Sequence, residues 1–213
     1  MIDNSNEPRA GVMRVDGSGS EQAIRALVRA FKDREPFLSY HPDQSKREKV
    51  AYFLIAMAVL PALRYGEVHA SSGAMEGVAV WVPSENYPVS AWRLLRAAPL
   101  SVTWGFARNG GYKMKDLGQY IDALHARLAP FRHMYLQSIG VDPDHQGQGH
   151  AGRLLRHMLD RMDEAGLPTY LETAEPENVG LYEHFGFAVI DRSTIPGSRL
   201  TNWAMLRKAT PRN

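Results

Sequence analysis

Residues 133–173 constrain the fold more than any other stretch of the chain. Residues 133–141 (HMYLQSIGV) read as a strand, and Asp142-Pro143-Asp144 reads as a turn. A helix follows, with Leu154, Leu155, Met158, Leu159 and Met162 on one face. Gly166 and Pro168 then stand where a terminal glycine and a following proline stop a helix. Residues 169–173 (TYLET) form the next strand. Strand, helix, strand at this spacing implies a parallel pair, because parallel neighbours need a long crossover, and such crossovers are right-handed. The chain is committed to the α/β class.

The flanking segments add to that unit. Residues 11–15 predict a first strand, and Ser18-Gly19-Ser20-Glu21 matches a helix-starting capping box. Ile24, Leu27, Val28 and Phe31 then recur at i, i+3, i+4 and i+7, one face of a helix. A second helix is expected over residues 44–63. Residues 66–71 and 74–82 read as a hairpin around Ser72-Gly73, with Val78, Val80 and Val82 alternating. Residues 83–130 change character: Trp92, Trp104, Tyr112, Tyr120 and a Gly110-Gly111 break predict two or three inserted helices over one face of the sheet. A short helix over residues 178–185 closes at Gly186, and strands are expected at 187–191 and 203–207. The sum is a mixed α/β fold of about six to seven strands flanked by helices. It forms one domain over residues 11–210, preceded by a loose arm of residues 1–10.

Composition removes several classes of chemistry. The chain has no cysteine, so disulfides, thiolate metal sites and cysteine nucleophiles are excluded, and a cytoplasmic location is expected. Lys and Arg number 25 against 23 Asp and Glu, and a net charge of +2 gives no reason to expect nucleic acid or a membrane surface as partner. The longest apolar run, residues 50–63, falls short of the ~18 residues of a membrane span, and Pro61 interrupts its end. The first residues carry no apolar segment of the signal-peptide kind. The eight histidines follow no ligand spacing, and no metal is expected. A homodimer is compatible with all of this.

The candidate chemistry lies between the parallel strands. Gln146, Gly147, Gln148, Gly149, His150, Ala151 and Gly152 bridge a strand and a helix start. Such a start offers unpaired N–H groups and a partial positive charge, and small residues let a pyrophosphate come close. Arg153 either adds a cation or turns to solvent. The loop lacks the lysine and Ser/Thr of a P-loop and the glycine spacing of a dinucleotide fingerprint. Coenzyme A is then the natural carrier, set against a plain tight turn whose glycines serve only backbone freedom.

These residues resemble the GNAT acyltransferase superfamily. Its Gln/Arg-x-x-Gly-x-Gly/Ala signature is met by Gln146, Gly149 and Ala151, and its Tyr-Glu-x-x-Gly-Phe signature by Tyr182, Glu183, Gly186 and Phe187. The runs from Ile139 to Gly149 and from Leu171 to Asn178 are closest in motif to puromycin N-acetyltransferase-like members, and the strong resemblance covers the last third of the chain. It implies a GNAT fold, with the sheet split like a V between its parallel strands and acetyl-CoA wedged in the gap. It implies that Ile139, Gly140 and Val141 offer main-chain groups to the pantetheine arm, one N–H of Ile139 or Val141 facing the thioester oxygen. It further implies that residues 146–152 hold the pyrophosphate and that Asn178 bonds the pantetheine or closes the site beside it. The implied activity is acetyl transfer to the primary amine of a small acceptor.

Such a transfer needs a base for the amine, donors for the carbonyl oxygen and a proton for the departing sulfur. With the second signature, Tyr182 is the candidate acid, since a tyrosine near ~10 keeps its proton at neutral pH yet lies near a thiol's ~8.5. Glu172 is either a general base raised by burial or a strand glutamate paired with a cation. Glu175 and Glu177 read as solvated loop charges. His41 and His69 are acceptor-site candidates by position, and Trp81, Tyr87, Trp92 and Trp104 read either as a flat acceptor pocket or, the commoner case, as core. Two other functions compete. One is a non-catalytic acyl-CoA-binding module, which shares the loop without needing Tyr182 or Glu172; the other is a nucleotide site in a regulatory protein.

Overall fold

The computed structural model describes residues 11–210, so the loose arm expected over residues 1–10 lies outside the described residues. The chain begins with β1 (Met13–Arg14), α1 (Ser20–Phe31), a four-residue α2 (Phe37–Tyr40) and α3 (Gln44–Tyr65). β2 (Glu67–Ala70) and β3 (Gly77–Pro83) form the hairpin, and three helices are inserted after it: α4 (Ala91–Ala97), α5 (Leu100–Arg108) and α6 (Lys115–Leu128). There follow β4 (Met134–Val141), α7 (His150–Glu164), β5 (Thr169–Thr173), α8 (Pro176–His184), β6 (Ala188–Thr194) and β7 (Thr201–Arg207).

The seven strands make one mixed sheet in the order β1-β2-β3-β4-β5-β7-β6. Every neighbouring pair is antiparallel except β4 and β5, the pair expected from residues 133–173. That parallel register is short. Met134 pairs with Thr169 and Tyr135 with Tyr170, and there the pairing stops.

Alternation along the strands sends apolar side chains to two faces. Val78, Val80 and Val82 join Leu27, Ile55 and Val59 of α1 and α3, whereas Ala79 and Trp81 join Leu154, Leu155 and Met158 of α7. Farther along the α1 face, α6 covers β4, β5 and β7, where Leu124 meets Tyr135, Tyr170 and Ala204. α1 rests directly on β4: a Cβ at Gly140 would come within 2.8 Å of the Ala30 Cβ. At the far end of α7, Asp163 accepts two bonds from Arg207 at 2.7 and 2.8 Å, and Arg207 Nε donates to the Phe185 carbonyl at 2.9 Å. That clamp ties the ends of α7, α8 and β7 together.

Several ends differ from expectation, each for a local reason. The capping box does not form, because the Asp16 carboxylate accepts from the Ser18 and Gly19 N–H groups and engages the Ser18 hydroxyl; α1 starts at Ser20 with no side-chain cap. Pro61 does not end α3. The helix runs two residues past Leu63 to Tyr65 with Pro61 buried, and Gly66 closes it by donating to the Ala62 carbonyl at 2.8 Å. α8 begins at Pro176, since proline suits the first helical turn. α4 and α5 lie against α3 through Leu94, Ala98 and Val102, not over the sheet. The aromatics share no pocket: Trp81 is core, whereas Trp92 and Trp104 are 65% and 70% exposed.

Gly140→Ala should destabilise the fold by about 1–3 kcal/mol, because the added methyl meets the backbone-fixed Ala30 Cβ. Urea unfolding measures it, and an unchanged midpoint would mean that α1 does not bear on β4.

Candidate active site

The central strands part where their residues change from buried to accessible. Met134, Tyr135 and Leu136 are buried, whereas Gln137, Ser138, Ile139 and Val141 are half-buried. In β5, Thr169 to Leu171 are buried and Glu172 and Thr173 half-buried. A mid-sheet strand gains such access when its neighbour leaves, so the two strands open at one level. A bulge marks it: Val80 pairs with Ser138 and Trp81 with Leu136, leaving Gln137 as the extra residue. A bulge bends its strand and increases its twist, which carries β4 away from β5.

The phase of hydrogen bonding along β4 fixes what faces the gap. The Asp142 N–H donates to the Glu76 carbonyl at 2.7 Å. By the alternation of an antiparallel ladder, Gly140 then exchanges bonds with Val78, while Ile139 and Val141 stand in non-bonded positions opposite Ala79 and Gly77. The main-chain groups of Ile139 and Val141 thus point into the gap. Gly140 does not join them: its main chain turns to β3, and its missing side chain makes room for α1. Gln146 Nε2 donates to the Val141 carbonyl at 3.3 Å and ties the loop to that edge.

At the mouth of the gap, Gly147 and Gly149 adopt φ of 76° and 79°, where a side chain is strained, and Gly149 is the N-cap of α7. Among the described residues no side chain caps this helix, and its first turn holds no acidic residue; the first rung is the Arg153 N–H on the Gly149 carbonyl at 3.0 Å. The N–H groups of His150, Ala151 and Gly152 precede that rung. Gln148 and Gly149 are exposed. The His150 ring, in contrast, points inward, its Nδ1 2.7 Å from Ser71 Oγ and 2.9 Å from an Arg153 guanidinium nitrogen. Burial and the Arg153 charge keep it neutral by lowering its pKa.

Glu172 lies two residues beyond Tyr170, the last residue of β5 to pair with β4. Its side chain turns to the α1 face beneath α6 and is 4% exposed. Burial raises the Glu172 carboxyl to about 7, with the Asp122 charge adding to the rise and the nearby Tyr135 and Tyr170 hydroxyls opposing it. Among the described residues neither carboxyl oxygen closes a hydrogen bond of good geometry. The ionisable group beside it is His125 of α6, its Nδ1 3.9 Å from Oε1, and His125 is itself lowered to about 4 by burial and by His133. Among the described residues its ion-pairing neighbour is this histidine, and neither a lysine nor an arginine.

Tyr182 occupies the opposite face. It is buried in the cluster of Leu136, Leu171 and Phe187, with Ile139 packed against it, and meets Phe187 edge-on at 5.9 Å. Burial pushes its hydroxyl well above the usual tyrosine range. Asn178 sits in the first turn of α8, its N–H on the Glu175 carbonyl at 3.1 Å. Glu177 pairs with Arg34 at 3.1 Å, while Glu175 is partly buried rather than solvated. The gap thus has Glu172 on one face and Tyr182 on the other. His69 is not with Glu172: it faces α7 and packs against His157. His41 lies beside the Gly110 turn. The groups around Glu172 that sequence reasoning missed are Asp122, His125, Tyr135 and Tyr170, with His133 behind His125; the two-residue spacing of Tyr170 and Glu172 was the available signal.

Comparison with known proteins places this parted mixed sheet in a family. The sequence model of the acetyltransferase (GNAT) family matches residues 80–187. An uncharacterised N-acetyltransferase of Schizosaccharomyces pombe is 25% identical over 183 residues, 82% of this chain and 72% of the relative. The Escherichia coli [ribosomal protein bS18]-alanine N-acetyltransferase is 38% identical over 66 residues, 29% of this chain and 45% of that protein, so the match spans under half of its length. A solved Corynebacterium glutamicum structure, described as histone acetyltransferase HPA2 and related acetyltransferase, superposes with a TM-score of 0.62 at 21% identity, covering 95% of this chain and 98% of that one. The chain belongs to the acetyltransferase (GNAT) family and is an N-acetyltransferase, and acetyl-CoA is the co-substrate that this family implies.

A raised folded pKa means that the contribution of Glu172 to stability is whole below about 4.5 and is lost as pH rises towards 7. Relative to wild type, Glu172→Gln should therefore gain on the order of 3 kcal/mol between about pH 4.5 and 7.5 in urea unfolding. A difference independent of pH would mean that Glu172 titrates as an ordinary carboxyl.

Proposed function

We propose that the protein moves an acetyl group from acetyl-CoA directly to the primary amine of a small-molecule acceptor. The proposal rests on the parted strands β4 and β5, whose open main-chain edge runs from an uncapped helix start to a buried carboxyl. The residues present suit the donor. The N–H groups at the start of α7 suit a pyrophosphate, and the edge at Ile139 and Val141 suits a pantetheine arm lying like an added strand. Gln137 Oε1, buried at the bulge and without a partner among the described residues, would be a further polar group for that arm. Asn178 would bond the same arm from α8.

Acetyl-CoA, when bound, supplies the electrophilic acetyl thioester. The N–H of Ile139 or Val141 stabilises the charge that builds on its carbonyl oxygen, a contribution typically worth ~10²–10³ in rate for one donor. Glu172, with a carboxyl near 7, takes a proton from the acceptor's ammonium at neutral pH. Tyr182 keeps its proton and donates it towards the departing sulfur from the other face. Because burial leaves that hydroxyl a weaker acid than a thiol at ~8.5, the proton is shared with the sulfur more than delivered to it. An amine acceptor is supported by the alanine in the name of the Escherichia coli relative.

Tyr182→Phe should lower kcat by ~10–10² while the acetyl-CoA KM stays within about twofold. Steady-state kinetics with an amine panel decides it, and an undiminished kcat removes Tyr182 from the chemistry. For the wild type, kcat/KM for the amine should rise with pH through about 7, and Glu172→Gln should abolish that limb. Gly149→Ala should weaken acetyl-CoA binding about tenfold in calorimetry, through strain at φ 79° and a methyl beside the phosphate donors. Unchanged affinity would place the pyrophosphate elsewhere.

A further inference from the structure

The Glu172 carboxyl is ringed by groups from several elements: Tyr135 of β4, Tyr170 of its own strand, Asp122 and His125 of α6, and Tyr87 ahead of α4. Ala204 of β7, its cross-strand partner, carries no charge. One member of the ring has a fixed protonation pattern that can be read from the hydrogen bonds behind it.

His133 Nδ1 lies 2.7 Å from the Phe131 carbonyl. A carbonyl only accepts, so Nδ1 carries the proton; burial lowers the pKa of His133 and favours its neutral form, in which Nε2 is bare. His125 Nε2 lies 2.9 Å from that bare nitrogen. It must therefore carry a proton, and since His125 is neutral, its Nδ1 is bare. Among the described residues that buried Nδ1 has no hydrogen-bond partner, and it faces Glu172 Oε1 at 3.9 Å, about 1 Å longer than a hydrogen bond. Tyr87 stacks on the ring at 4.6 Å, its own hydroxyl held by Asp122 at 2.7 Å, which opposes rotation of the imidazole.

A bare nitrogen and a carboxylate oxygen are both acceptors and cannot bond one another. They can when the carboxyl is protonated. We propose that His125 is the positioning residue for Glu172: its bare Nδ1, aimed by His133 and the Phe131 carbonyl, receives the carboxyl O–H whenever Glu172 holds a proton. The inference rests on the reading of Glu172 as the base. The proton leaves the acceptor's ammonium, whose N–H electron pair stays on nitrogen, and forms an O–H bond on Glu172. That O–H donates to His125 without leaving oxygen, and is released to water after transfer. The nearby Tyr135 and Tyr170 hydroxyls favour the ionised form by lowering the Glu172 pKa, and Nδ1 favours the protonated one.

The test reads Glu172 itself in the free protein, by infrared titration of its carboxyl assigned with Glu172→Gln. His125→Phe should lower the midpoint by about one pH unit, a tenfold loss of proton affinity, because the protonated form loses its acceptor. His125→Asn, whose Oδ1 replaces Nδ1, should restore it. The kcat/KM limb should move in the same order with the acetyl-CoA KM unchanged. Nitrogen-15 spectra of the wild type should show His125 protonated at Nε2 and bare at Nδ1, a readout that stands even if His125→Phe does not fold. An unmoved midpoint in His125→Phe, or an imidazolium pattern at His125 near neutral pH, overturns the proposal. If turnover survives Glu172→Gln while His125→Phe still shifts the midpoint, the base reading falls and the positioning stands.

Discussion

The site depends on two parallel strands that stop pairing after two residues. Hydrogen bonds normally hold such neighbours together along their length, and leaving main-chain groups unpaired is costly when they are buried. Here the Gln137 bulge bends β4 away while α1, seated on Gly140, holds that strand from one side. The clamp of Asp163 on Arg207 secures the other half of the sheet by joining α7 to β7. The gap is a built feature of the packing, with independent supports on each bank.

Desolvation then sorts the ionisable groups. Glu172 and the histidines behind it lie in the same dry layer under α6, yet burial pushes them in opposite directions, the carboxyl up and the imidazoles down. Both shifts favour the neutral form, so the layer carries little charge near neutrality. A carboxyl in such a layer is a stronger base than one at the surface, and this follows from packing alone. Tyr182, in the apolar cluster on the other face, has no charged neighbour contributing to its shift.

Much of this was legible locally. The strand, loop and helix of residues 133–173 carry their own stop signals, and the glycine loop announces a helix start. The capping box misled because Asp16, just ahead of it, takes the Ser18 and Gly19 N–H groups and starts a short turn there instead. The faces of β4 were less legible still. Tyr135 and Ile139 have the same parity and would share a face in a regular strand; the extra residue at Gln137 puts them on opposite faces, which is how Tyr135 comes to stand by Glu172. His125 belongs to an inserted helix whose partner surface is set by tertiary packing, and its tautomer depends on a carbonyl at Phe131.

The half-open register of β4 and β5 has a consequence for molecular shape. Past Tyr135 and Tyr170, each strand turns an unpaired edge towards the other. An extended chain with amides at strand-like spacing would find main-chain partners on both banks of such a seam. A compact ring has no such repeat to offer. The seam therefore suits an extended guest over a compact one.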